Sequence, residues 1–347
     1  MKDLAHGGKT DFGHGDTDLL KSTQAYENDK GISWVDKVEI TTVIDNYIDV
    51  FLPSSDIIRR WGPPNSCPGS RVAYTTSPPL MAEHGLSLLV KTYQGDQSQV
   101  FLFDAGFTEE GVPNNLEKLG IGIGEIDSII VSHGHPDHTA AISEILKQSE
   151  KRIRVITHPA AFIKRYLIYP NGERIVANTF TKKTIEDDGA EVVLSKDITK
   201  LGPGVMATGE IDMVNNFELH FPLAYYDHNG SMEKDLFPDE KSLIINLKGK
   251  GLIVLSGCGH RGIINTVEYA KKTTGIGKVH VVIGGFHLTG ATPIDKITKT
   301  VEEMKKIAPD FVIPTHCTGW TAMNMFAQSM PDRFLLNSVG TRFTFSS

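Results

Sequence analysis

At 347 residues and 38.1 kDa the chain can bury a large core but is too short for three ordinary domains. Its 40% hydrophobic and 22% charged residues are those of a globular protein, and a net charge of -7 with no basic stripe excludes nucleic acid as the expected partner. No apolar run approaches the roughly 18 residues of a membrane span. Residues 1–30 lack the apolar core of a secretory signal. The three cysteines, Cys67, Cys258 and Cys317, are widely spaced and odd in number, which argues against a disulfide framework and for a reducing, cytoplasmic compartment.

Residues 1–35 are polar and glycine-rich and read as an N-terminal arm, mobile or packed on a partner subunit. With Trp34 and Trp61, this arm is the only hint of a homodimer. His6 and His14 within it are read as exposed and unliganded. Residues 36–347 read as one domain. Regular structure begins near Val38, where β-branched residues dominate through Asp45. Further strands are expected at Leu86–Tyr93 and Val100–Asp104. A helix follows over 114–120, then a strand over 126–132. Next come a helix at Thr139–Lys147, a strand at Ile153–Thr157, and a helix opened by His158-Pro159 and running through Leu167. Residues 170–240 hold only short β-like runs (Glu191–Leu194, Glu218–Phe221) and are expected to supply loops over a site. Ser242–Lys248 and Gly251–Ser256 form a buried hairpin. Asn265–Lys272, Val279–Ile283, Asp295–Ile307 and Phe311–Ile313 then alternate helix and strand. Two similar halves, each a sheet with helices outside, predict a four-layer αββα sandwich of the α/β (α+β) class.

The chemistry concentrates at residues 133–138, His-Gly-His-Pro-Asp-His, directly after an apolar strand. Histidine is scarce, 13 in 347, so three in six positions at a strand end are unlike a polar loop with accidental imidazoles. Three imidazoles and a carboxylate are the ligand set that borderline cations such as zinc prefer. Gly134 and Pro136 impose a tight loop, in which His133 and His135 point one way and Asp137 and His138 another. That geometry suits two metals side by side.

Three later segments repeat the pattern of an apolar strand followed by a turn with ligand-type residues: Ser256 to His260, Gly284 to Leu288 and Pro314 to Gly319. Two cations need roughly six or more ligands with positions left for water. His260 and His316 are the best additional ligands, and Cys258 can bridge or bind one metal as thiolate. His287 is a ligand or a catalytic contact to substrate. Asp104, at its own strand end, is placed to orient a metal-binding histidine from behind. Glu83 and His84 are either a polar pair behind the site's edge or a pair closing on backbone. His158 reads as a helix N-cap or a loop contact, and His220, His228 and His280 as ordinary strand histidines.

Together these segments resemble the metallo-β-lactamase superfamily. His133-Gly134-His135-Pro136-Asp137-His138 matches its His-x-His-x-Asp-His signature, and Phe103-Asp104-Ala105-Gly106 its Asp-x-Gly element. Within it, Glu83 to Ser87, Gly257 to His260, Gly284 to Leu288 and His316 to Gly319 resemble the dihydropterin-aminobenzene-phosphate synthase-like group. The resemblance spans about residues 38 to 320. It implies the αββα fold and one or two metal ions, usually zinc, sometimes iron or manganese. By the superfamily pattern His133 and His135 join one metal, Asp137 and His138 the second, with His316 as the C-terminal histidine of the second. Cys258 stands where most members carry a bridging aspartate. No usual third histidine of the first site occurs between 170 and 240, and His260 is the candidate to substitute for it.

The expected function is a metal-dependent hydrolase using metal-bound hydroxide on a small or medium organic substrate: an ester, lactone, phosphoester or activated aryl carbon. Asp137 would both ligate and relay a proton. The alternatives are an iron-dependent oxidoreductase on the same ligands and a catalytically silent binding protein.

Overall fold

The computed structural model describes residues 32–62, 80–177, 180–218 and 221–347. His6, His14, Cys67, His220 and most of the proposed arm lie outside the described residues.

The strand patterns explain the layering. In Ser87–Gln94 and Gln97–Phe103, Leu88, Val90, Phe101 and Phe103 share one buried cluster while Leu89, Val100 and Leu102 belong to another, the period of two expected of a sheet buried on both faces. The first sheet has eight strands in the order Ile58–Arg59, Arg342–Ser346, Lys37–Ile44, Ser87–Gln94, Gln97–Phe103, Ser128–Ile130, Ile153–Thr157 and Ala190–Leu194. The second has six, Thr199–Gly202, Val205–Ala207, Ser242–Leu247, Gly251–Ser256, Val279–Gly285 and Phe311–Thr315. Each sheet runs antiparallel on one side and parallel on the other, where helices make the crossovers. The central core is sheet against sheet, Phe101, Phe103 and Ile130 with Leu243, Leu255 and Ile283. One outer core packs Val112, Leu116 and Ile145 on the first sheet, and the other packs Val267, Val301 and Phe326 on the second. This is the expected αββα sandwich. No helix among the described residues is long and apolar enough to cross a membrane.

Two local readings differ from the structure. The helix expected from His158 through Leu167 stops as a short 3-10 turn, Pro159–Phe162, and the chain turns into the strand Arg165–Ile168. That strand pairs with Ala224–His228 in a separate four-stranded sheet, so cross-strand bonding overrides local helical periodicity. Residues 219 and 220 of the run expected at Glu218–Phe221 lie outside the described residues. The C-terminal strand Arg342–Ser346 was not expected. Its Phe343 and Phe345 enter the central core while it pairs Lys37↔Ser346. His158 does cap its turn, accepting the Ala160 amide at Nδ1 at 3.0 Å.

Register puts the polar strand ends on one edge. Phe103 pairs with Ile130, Leu88 with Phe103, and Ile44 with Ser87, so Asp45, Asp104 and the 131–138 turn emerge together. In the other sheet Ser256 pairs with Gly284 and Gly284 with Pro314, which brings the three later turns level. Ligands bound at the carboxyl ends of parallel strands are the general expectation for such sheets.

Candidate metal centre

The turn after Ser128–Ile130 is built around Asp104. Its two carboxylate oxygens accept the Ser132 amide and the Ser132 hydroxyl, each at 2.7 Å. Asp104 Oδ2 also lies 2.7 Å from His138 Nδ1, and Ser132 Oγ lies 2.8 Å from His133 Nδ1. Because the Ser132 proton goes to Asp104, His133 must donate from Nδ1 to the hydroxyl oxygen. This assignment leaves Nε2 of His133 as a bare lone pair. His316 follows the same logic from the other sheet: its Nδ1 lies 3.1 Å from Asn46 Oδ1, and its amide donates to Asp45 Oδ1 at 2.9 Å. Three imidazoles are therefore gripped at Nδ1, the arrangement that orients a metal-binding histidine.

The free ends converge. His138 Nε2 is 3.1 Å from Cys258 Sγ, His133 Nε2 is 3.1 Å from His135 Nδ1, and Asp137 Oδ2 is 3.3 Å from His316 Nε2. Asp137, His138, Cys258 and His316 each bring a ligand atom within 4.8 Å of the others, and His133, Cys258 and His260 do likewise. Cys258 is common to both sets. His260 lies flat on Phe237, ring centroids 3.9 Å apart and 7° from parallel, and both its ring nitrogens are buried with no hydrogen-bond partner among the described residues. His135 Nε2 is buried in the same condition. An unpartnered buried polar atom costs about 1–3 kcal/mol. Several around one sulfur fit a cation as the missing partner. The nitrogen, oxygen and sulfur donors suit zinc or a similar borderline ion.

The electrostatics point the same way. Burial alone would raise the Asp137 pKa, but His138 and His316 outweigh it and hold the carboxylate well below the usual range. Burial opposes charge on His138, yet Asp104 and Asp137 lift its pKa to about 9. Burial drives His135 down to about 3. Burial, reinforced by adjoining imidazoles, leaves His133 and His260 neutral. Asp104 (φ 63°), His287 (φ 46°) and His316 (φ 48°) adopt left-handed backbone without being glycine. Each costs about 1–3 kcal/mol, and such strain concentrates where side chains are aimed for function.

Other side chains named from sequence are placed as follows. His84 flanks the site, its Nε2 3.9 Å from Asp137 Oδ2 and its Nδ1 3.1 Å from Asn46 Nδ2. Glu83 takes the backbone alternative: its carboxylate accepts the Phe107 amide at 2.7 Å and the Thr108 hydroxyl at 2.6 Å, ordering the loop after Asp104 without orienting an imidazole. His287 sits beside His260, ring centroids 4.3 Å apart. His280 pairs with Asp310, and His228 is exposed on the small sheet.

Several contributors were not singled out from sequence. Asp45 and Asn46 hold His316 and end a strand just as Asp104 does, which is the signal that could have revealed them. Glu240 accepts the His260 amide at 2.7 Å and also the Arg261 amide, fixing that turn, and burial raises its pKa to about 7. Arg165 donates to Asp235 at 2.5 Å and Asp239 at 2.7 Å, and Asp239 accepts the Gly134 amide at 2.9 Å. A Cβ on Gly134 would stand 1.9 Å from the Ala161 carbonyl oxygen, so this position of the histidine loop accepts only glycine. No local sequence pattern announces these long-range contacts.

Comparison with known proteins agrees with this geometry. A family model described as the metallo-beta-lactamase superfamily matches residues 82–209. The chain is 37% identical over 262 residues, 74% of its length and 88% of the relative's, to the Methanocaldococcus jannaschii protein named 7,8-dihydropterin-6-methyl-4-(beta-D-ribofuranosyl)-aminobenzene-5'-phosphate synthase. It is 28% identical over 261 residues, 75% of its length and 93% of the relative's, to an uncharacterised protein of the same organism. A crystal structure described as a metal-dependent hydrolase of the beta-lactamase superfamily superposes with a TM-score of 0.69, covering 89% of this chain and 100% of the other at 24% identity. That last likeness concerns the fold.

Proposed function

Because the chain belongs to the metallo-beta-lactamase superfamily, we propose that it is a metal-dependent hydrolase acting on a small or medium organic substrate. The observation that carries this reading is the convergence of His133, Asp137, His138, His260 and His316 around the sulfur of Cys258, with His135 beside His133. His133, His135, His260 and Cys258 would hold one cation, and Asp137, His138, His316 and Cys258 a second. A cation bound there would lower the pKa of its water to roughly 7, supplying a nucleophile at neutral pH. The protein's own groups do the rest. Asp104, Ser132 and Asn46 keep the imidazoles in the ligand-ready tautomer. Asp137 Oδ2 stands between buried His316 and His84, 3.3 and 3.9 Å away, and the His84 side chain is 62% exposed. A proton taken up at Asp137 Oδ2 therefore has a short route to solvent through His84.

A second reading is favoured by the Methanocaldococcus relative: synthesis of a dihydropterin-linked ribofuranosyl-aminobenzene phosphate, as that protein's name states of it. Metal analysis and a substrate panel of esters, lactones, phosphodiesters, aryl halides and the pterin and aminobenzene phosphate pair separate the two. Replacing both His135 and Asp137 with Ala is expected to abolish metal content and turnover together. Full turnover in a chelator-stripped, metal-free preparation would refute both readings.

A further inference from the structure

Neither ligand set uses Cys317, although it lies in the same turn as His316 and is buried. Cys258 Sγ, Cys317 Sγ and a ring nitrogen of His287 all lie within 4.8 Å of one another. The trio is held by backbone. The amides flanking His287 tie its turn to the Cys317 turn, Phe286 donating to Thr318 Oγ1 at 3.1 Å and Leu288 to the Cys317 carbonyl at 3.2 Å. Cys317 Sγ in turn donates to the Cys258 carbonyl at 3.4 Å. A Cβ at Gly285 would come 2.7 Å from Cys317 Sγ, so glycine there leaves the room that sulfur occupies. His287 reaches the cluster only through its strained backbone (φ 46°), and its Nδ1 is buried without a hydrogen-bond partner among the described residues.

Two sulfurs and an imidazole differ in kind from the neighbouring sets, which are mostly nitrogen with one carboxylate. Soft thiolates select thiophilic ions such as Zn2+, Cd2+ or Cu+. Three protein ligands leave the fourth place of a tetrahedral ion open, as in catalytic zinc sites. We infer that Cys258, Cys317 and His287 form a thiolate-rich position for a thiophilic cation, adjoining the imidazole-rich pocket and sharing Cys258 with it. Binding there exchanges two thiol protons for one cation, with no change of oxidation state. The assignment makes His287 a ligand, and it is independent of which substrate the enzyme turns over.

The test is one equivalent of Cd2+ added to the metal-stripped full chain in a Cys67→Ser background, so that only two cysteine thiols remain. The thiolate-to-cadmium charge-transfer absorption should fall to about half in Cys317→Ser and in Cys258→Ser and vanish in the double variant, since it counts bound sulfurs. His287→Ala should weaken Cd2+ binding by about 10- to 100-fold without changing that count. X-ray absorption of the zinc-loaded Cys67→Ser protein, at one equivalent and with both remaining cysteines intact, should find two sulfurs at about 2.3 Å from one ion. Absorption unchanged by Cys317→Ser but abolished by Cys258→Ser, or a single sulfur per zinc, would overturn this assignment and leave the hydrolase reading standing. A protein that takes up neither Cd2+ nor Zn2+ would bring down both.

Discussion

The Arg165 cluster offers the sharpest stability test. Its guanidinium is 1% exposed and bonded to two carboxylates, Asp235 and Asp239, that are 1% and 0% exposed. Replacing Arg165 with Met keeps much of the volume and removes the guanidinium that bonds both. Each carboxylate retains one backbone donor, Phe237 N–H at 2.7 Å for Asp235 and Gly134 N–H at 2.9 Å for Asp239, so neither is wholly abandoned. Breaking a buried pair by removing one side costs about 3–5 kcal/mol, against a total stability of about 5–15 kcal/mol. Urea unfolding of the metal-stripped protein, followed by tryptophan fluorescence, should show that loss. Neutralising the carboxylates as well, in Arg165→Met with Asp235→Asn and Asp239→Asn, should recover most of it. The pH dependence has a definite sign. Burial already raises the Asp239 pKa, and Arg165 opposes that rise. Without Arg165 the folded carboxyl binds its proton more tightly than the unfolded one, so the deficit of Arg165→Met should shrink as pH falls toward the raised pKa. The bond from Gly134 to Asp239 adds a functional readout: cation affinity should drop by about 10- to 100-fold, as for other groups that orient ligands. A single variant within about 1 kcal/mol of wild type, or a triple variant no better than the single, would refute the reasoning.

Gly134→Ala places its Cβ against the Ala161 carbonyl. Backbone must yield, at about 1–3 kcal/mol, and metal content measured after gel filtration should fall. Tyr93 donates to Glu39 at 2.8 Å, and burial together with that carboxylate pushes the phenol up to about 12. Its raised pKa contributes stability that is present below about pH 10 and lost as pH rises through about 12. Tyr93→Phe should remove one late-titrating phenolate from the ultraviolet titration, and an unchanged curve would count against the bond.

The fold and the gathering of candidate ligands were legible in sequence to different depths. Short runs rich in β-branched residues and followed by glycine, such as Leu252–Ser256 and Val279–Ile283, read as buried strands, and the polar turns after them mark one sheet edge. His133 to His138, Cys258, His260 and His316 do meet there. What stayed hidden depends on partners remote in sequence. Arg165–Ile168 became a strand because residues 224–228 lie alongside it. Asp45 looks like a turn aspartate until His316, 271 positions later, donates to it. The alternation of Phe343 and Phe345 carries a strand's period, but five residues near the end of the sequence are too few to be decisive without Lys37–Ile44 to pair with.

That final pairing has a consequence for biogenesis. Arg342–Ser346 fits between Ile58–Arg59 and Lys37–Ile44, so the first sheet lacks an interior member until residue 346 has been synthesised. The early strands must wait on the ribosome with one flank open, a slow, high-contact-order assembly that favours chaperone engagement. The pocket in which turns from both sheets meet likewise cannot close before His316 has been synthesised.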